Sequence, residues 1–200
     1  MQVAITLVLA ATLMTGLATA ARADDAKGDK ASDGPLTLTL VDKKGEYPVA
    51  GGQDPAALKK KLKEIQETPE GQRRDPLPAV PAVDWVLRIT NTGAQDATVL
   101  LGGDPNVYTF EVKGPGVVKL PNLIAMTLEF RIPQAVTLGP GKSHEIPVRQ
   151  LMDGMRGVSR AIFWTEPGEY TVTATYQLSG DQDGNKGALL KSKPVAVKVK

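Results

Sequence analysis

The chain has 200 residues, 42% hydrophobic and 23% charged, which is enough apolar material for one sizeable core. Its 24 basic and 22 acidic residues nearly balance, so no net field points to nucleic acid or anionic lipid as a partner. Cysteine is absent, which excludes disulfides, a thiolate metal site and a cysteine nucleophile, and leaves stability to packing.

The first 21 residues carry no charged side chain, and an apolar run from Val3 to Leu17 ends in Ala18-Thr19-Ala20 and Ala21-Arg22-Ala23. Both triplets have the small-x-small form of a peptidase site, so residues 1–23 are expected to be a signal peptide cleaved after Ala23. An uncleaved anchor is the competing reading, because about 20 apolar residues can span a bilayer. After cleavage no membrane span is expected, and the address is periplasmic or extracellular. Residues 24–35 (DDAKGDKASDGP) hold no large apolar side chain and cannot offset the entropy of ordering, so they are expected to form a disordered linker.

The folded domain is expected over residues 36–200. Leu36, Leu38 and Leu40 alternate with Thr37 and Thr39, the period of a half-buried strand. The period then changes. Asp54 is an N-cap, Pro55 occupies the first helical position, and Leu58, Leu62 and Ile65 fall on one stripe, which predicts a short amphipathic helix over 54–68. Thr68-Pro69-Glu70-Gly71 ends it, and a proline-rich extended link follows to Pro81. Thereafter the pattern is strand after strand, at 85–89, 97–101, 107–112, 117–120, 126–132, 135–138, 143–148, 160–165, 171–176 and 194–200. Gly, Pro, Asn and Asp separate the runs, and a polar loop spans 179–187. Such short, turn-separated strands argue for an all-β sandwich or barrel and against a parallel sheet with helical crossovers.

Pro167-Gly168-Glu169-Tyr170 followed by Thr171-Val172-Thr173-Ala174 looks like the tyrosine corner of immunoglobulin-like domains, with Val172 where an antibody-type domain has its second cysteine. Together with LRITNTG (87–93), DPNVYTFEV (104–112) and TLGPGKS (137–143), the order of motifs resembles bacterial immunoglobulin-like modules. It is similar in particular to the BsuPI proteinase-inhibitor type and to exported envelope proteins of no assigned function. The resemblance covers roughly residues 83–178 and implies a Greek-key antiparallel β-sandwich, with Pro167, Gly168 and Tyr170 as a structural corner. The helix-bearing stretch 54–78 lies outside that pattern, and no reactive inhibitory segment aligns.

The chemical near-misses fail at identifiable positions. Gly139-Pro140-Gly141-Lys142-Ser143 has the ending of a phosphate-binding loop, but Val136 stands where its first glycine belongs and a strand pattern follows, so a tight turn is expected. Asp181, Asp183 and Asn185 place three oxygen side chains at alternate positions and form a weak calcium candidate. The glycine and glutamate of an EF-hand loop are replaced by Lys186 and Ser192, which favours a plain solvated loop. His144 is the single histidine, and no serine lies in a nucleophile elbow. Lys59, Lys60, Lys61 and Lys63 alternate with Glu64 and Glu67 as a mutually screened helix face. Trp85, Trp164, Phe110, Phe130 and Phe163 are expected in or near the core. The expectation is therefore a non-enzymatic exported binding or structural module without a cofactor, whose partner is a protein or envelope component. Proteinase inhibition is the alternative implied by the resemblance, and a carbohydrate-binding accessory role comes third.

Overall fold

A computed structural model describes residues 35–69, 77–103, 107–122, 132–154, 159–179 and 187–200. The expected signal peptide, most of the linker, and Asp181, Asp183 and Asn185 lie outside these residues, as does most of the predicted strand 126–132. The described elements are predominantly β-strands in several sheets, almost all antiparallel, with one α-helix. In chain order they are β1 (Leu36–Asp42), β2 (Glu46–Tyr47), α1 (Pro55–Glu67), β3 (Ala82–Asn91), β4 (Ala97–Leu101), β5 (Val107–Lys113), β6 (Val117–Asn122) and β7 (Gln134–Leu138). There follow β8 (Ser143–Gln150), β9 (Met152–Asp153), β10 (Ser159–Trp164), β11 (Gly168–Gln177), β12 (Leu189–Lys191) and β13 (Val195–Val199).

One sheet has the order β1-β3-β8. A second is built on β11, which pairs with β5 along one edge and with β12 and β13 along the other. Leu38 and Leu40 of β1, Trp85, Leu87 and Ile89 of β3, Phe110 and Val112 of β5, Val172 and Ala174 of β11, and Val197 and Val199 of β13 all enter one buried cluster. The alternation of each strand therefore delivers one apolar row to a core shared by the two sheets. A third sheet, β6-β10-β9, extends the assembly, and β4 pairs with β7.

The helix has the predicted cap. The Asp54 carboxylate accepts the N–H groups of Ala56 and Ala57 at 3.3 and 3.1 Å, and Leu58, Leu62 and Ile65 are buried. They pack, with Ala50, on Leu120, Ala161 and Phe163 of the third sheet, making a second apolar cluster. Strand β10 is thus buried on both faces. Ile162 and Trp164 point into the first core and Ala161 and Phe163 into the second, all with no exposed surface. This explains why residues 161–164 (AIFW) read as a continuous apolar run.

Three short strands have no counterpart in the sequence pattern. Strands β2 and β9 are two residues each, below the length at which alternation can be seen. Strand β2 also pairs in parallel with β13, continuing the chain from the first sheet to the second. The third, β12, is three residues long and precedes the expected last strand, which is β13. Leu189 to Lys191 face Gln177 to Thr175, but Val195 to Val199 face Val172 to Gly168, a register offset of one residue. Ser192 bridges the break, exchanging its N–H and Oγ with the Ala174 carbonyl and N–H at 2.8 and 2.9 Å, while Pro194 can donate nothing to the ladder.

Aromatic rings knit the first core together. Tyr47, Trp85, Trp164, Tyr170, Phe110 and Tyr108 form a continuous series with centroids 5.3 to 6.3 Å apart, within the favourable range for ring pairs. Asp42 aims Tyr47 inward: its Oδ1 accepts the phenol proton at 2.6 Å and the N–H groups of Lys44 and Gly45. Burial, and then the hydrogen bond to Asp42, push the Tyr47 phenol far above its ordinary range. Burial likewise raises Tyr108, Tyr170 and Tyr176, so every tyrosine of the chain resists ionisation.

Two outcomes follow from this packing. Phe163→Ala removes the ring that joins helix to sheet, and a denaturant melt should show a loss of about 3–5 kcal/mol. Because the folded phenols hold their protons, their contribution to stability is complete below pH ~10, where unfolded tyrosine titrates, and is lost as pH rises beyond it. Absorbance at alkaline pH should therefore show no phenolate at the ordinary tyrosine midpoint, followed by ionisation together with unfolding; a normal tyrosine titration in the folded protein would contradict the packing.

Candidate functional site

The corner at the start of β11 is held by two interlocking turns. The Tyr170 hydroxyl reaches back to the Glu166 carbonyl at 2.7 Å and also meets the Pro115 carbonyl in the turn between β5 and β6. Both turns need glycine. A Cβ on Gly114 would lie 2.4 Å from the Tyr170 ring, and one on Gly168, at φ 151°, would lie 2.8 Å from Pro115. Pro167 is exposed at the tip. This constellation crosses between sheets and presents no reactive group to solvent, so its role is architectural.

Asp153 is the buried carboxylate among the described residues, and a charge taken out of water invites a chemical reading. Its partners argue otherwise. Oδ2 accepts the Phe110 N–H at 2.8 Å, and Arg160 grips both oxygens at 2.8 and 3.1 Å, so the fork saturates the group and ties β5, β9 and β10 together. Among the described residues no group of three or more His, Asp or Glu side chains could hold a metal. His144 stands half-exposed on β8, opposite Ile89 of β3. The Gly139–Ser143 segment is the turn from β7 to β8, with the Lys142 N–H donated to Gly139 and the Gly141 N–H to the Asn91 carbonyl. Its amides therefore close the turn and dock it on β3 rather than opening onto a phosphate. Trp164 lies in the core as expected and has no exposed surface to offer a sugar.

Among the described residues, a groove between two strand edges offers room for a ligand. It encloses about 340 Å³ and is lined by Leu36, Thr37, Leu38, Thr39 and Leu40 of β1 and by Leu190, Lys191, Lys193 and Val195 on the other side. It arises because β1 ends the first sheet while β12 and the bulge at 192–194 end the second, and the two edges meet at the same flank of the core. Five residues of β1 give it a length of roughly 13–16 Å. Its lining contains two ammonium groups and no carboxylate. In sequence terms it was partly visible: the Leu-Thr alternation marks β1, but residues 190–195 carried no sign that they would face it.

No family model, curated protein or solved structure matches this chain.

Tyr170→Phe deletes the hydroxyl and leaves the Glu166 and Pro115 carbonyls without their donor. Thermal or denaturant unfolding should register a loss of about 1–2 kcal/mol, with the near-ultraviolet spectrum of the folded state retained; an unchanged midpoint would mean that the corner does not bear on stability.

Proposed function

We propose that this chain is an exported, non-enzymatic binding module of a bacterial envelope or secretome, built on an immunoglobulin-like β-sandwich. Support for the fold reading comes from the two facing sheets, β1-β3-β8 and β5-β11-β13, and from the tyrosine that opens β11 and bonds back to the residue four positions earlier. Support for the address comes from the apolar run and paired small-x-small triplets before Asp24. Among the described residues no helix is long and apolar enough to cross a membrane.

The observation that carries the binding reading is the groove along β1, where an edge strand and two lysines border an open apolar channel. Rigid strands position it, and the surrounding side chains offer recognition without catalysis. The test is photo-crosslinking in the native cell from position 39, whose threonine is exposed on the groove wall, compared with position 64 on the distant helix face. Position 39 should yield a discrete adduct, identified by mass spectrometry, that position 64 does not. The same preparation should begin at Asp24. Equal capture from both positions, or turnover of an ester or glycoside that depends on the chain's own residues, would sink this reading.

A further inference from the structure

We propose that the groove takes an extended acidic segment of a partner protein, which adds as a further strand to the outer edge of β1; the inference rests on the groove being the binding site. The pairing of β1 with β3 identifies the receiving groups. Lys43 donates to the Asp84 carbonyl and Thr92 donates to the Pro35 carbonyl, so the odd-numbered residues between them bond towards β3. Antiparallel pairing alternates direction, which turns the N–H and C=O of Leu38 and Leu40 outward, away from β3. Among the described residues no strand pairs with that side of β1.

Among the described residues this edge lacks the charges, prolines and bulges that ordinarily blunt an exposed strand. Residues 36–41 (LTLTLV) contain no charge and no proline, and the register against β3 is continuous, without a bulge. The opposite edge is unsuited to receive a strand. Pro194 has no N–H, and β13 is already capped by β2, to which Lys198 and Lys200 donate through Gly45 and Tyr47. A peptide therefore docks on β1 and meets β12 and β13 only through side chains.

Those side chains set the chemistry. Leu190 and Val195 give an apolar wall, and Lys191 and Lys193 give a positive rim with no carboxylate in the lining; Glu111 on β5, within electrostatic reach of Lys191, is itself paired with Lys113. A cationic strand is repelled at this rim and an anionic one attracted. The occupant that fits both features alternates aliphatic and acidic residues, with the main chain supplying the ladder and the acids supplying selectivity.

The experiment uses the mature chain and three labelled peptides, matched in length to β1, in which valine alternates with glutamate, glutamine or lysine. Fluorescence anisotropy should place the glutamate peptide about tenfold tighter than the lysine peptide, the scale of two partly exposed ion pairs. Amide exchange followed by NMR should slow at Leu38 and Leu40 on binding. Methylating alternate peptide nitrogens should abolish binding, and Lys191→Glu with Lys193→Glu should invert the preference, in protein whose near-ultraviolet spectrum shows the aromatic core intact. The inference is overturned if glutamate and lysine peptides bind alike, or if the glutamate peptide binds without protecting those two amides. Equal protection by all three peptides would overturn the acidic class while leaving the groove as the binding site. Protection by none would overturn strand addition, and capture from position 39 would then report independently on the broader reading.

Discussion

The double-sided burial of β10 is the constraint on which the rest of the molecule depends. Ile162 and Trp164 close the first core, and Ala161 and Phe163 receive the helix, so a single strand of six residues joins two apolar clusters. A strand in that position cannot carry a polar residue at any of these four places without burying an unpaired group. Its neighbours are placed accordingly: β6 pairs along one edge, and β9, through Asp153 and Arg160, along the other. The same carboxylate reaches Phe110 on β5, so the third sheet is tied to the second by a charge-assisted bond as well as by packing.

This arrangement gives the helix a structural reason. An isolated helix of 13 residues with one apolar stripe is marginal in water, and α1 is stable because Leu58, Leu62 and Ile65 cover a sheet face that would otherwise be exposed. Its lysines face solvent, where Lys60 and Lys63 lie near Glu64 and Glu67 one turn on. Pairs this exposed contribute little to stability, and their net effect is to balance charge on the face opposite the apolar stripe. The helix is thus a covering element for the third sheet, set apart from the groove between β1 and β12.

On the proposed reading, the specificity of that groove rests on what borders the strand edge. Main-chain ladders bind any extended segment, so selectivity has to come from what borders the edge. Here the edge is neutral and regular, and the border is basic. The bulge at 192–194 matters to both: it ends the second sheet at the groove and leaves Lys193 and Pro194 where a continuous strand would have presented an ordinary edge.

Periodicity made the individual elements legible. The alternation of 36–40, the capped stripe of 54–68 and the turn-bounded runs from 85 onward each express a local rule, and the described strands and helix follow them within a few residues at either end. Elements of two residues, such as Glu46–Tyr47 and Met152–Asp153, have too few positions to show a period and exist because neighbouring strands offer them partners. The groove was out of reach for a related reason. It brings residues 36–40 against 190–195, segments at opposite ends of the domain, and no local pattern records which edges of two sheets will meet. Composition and spacing by themselves determined an all-β chain with one helix and no cysteine chemistry, because these depend on side-chain period and residue type. Only the tertiary structure decided that β10 is buried on both faces and that, among the described residues, no strand pairs with the outer side of β1, which runs beside two lysines, because burial and pairing depend on what the rest of the chain places alongside.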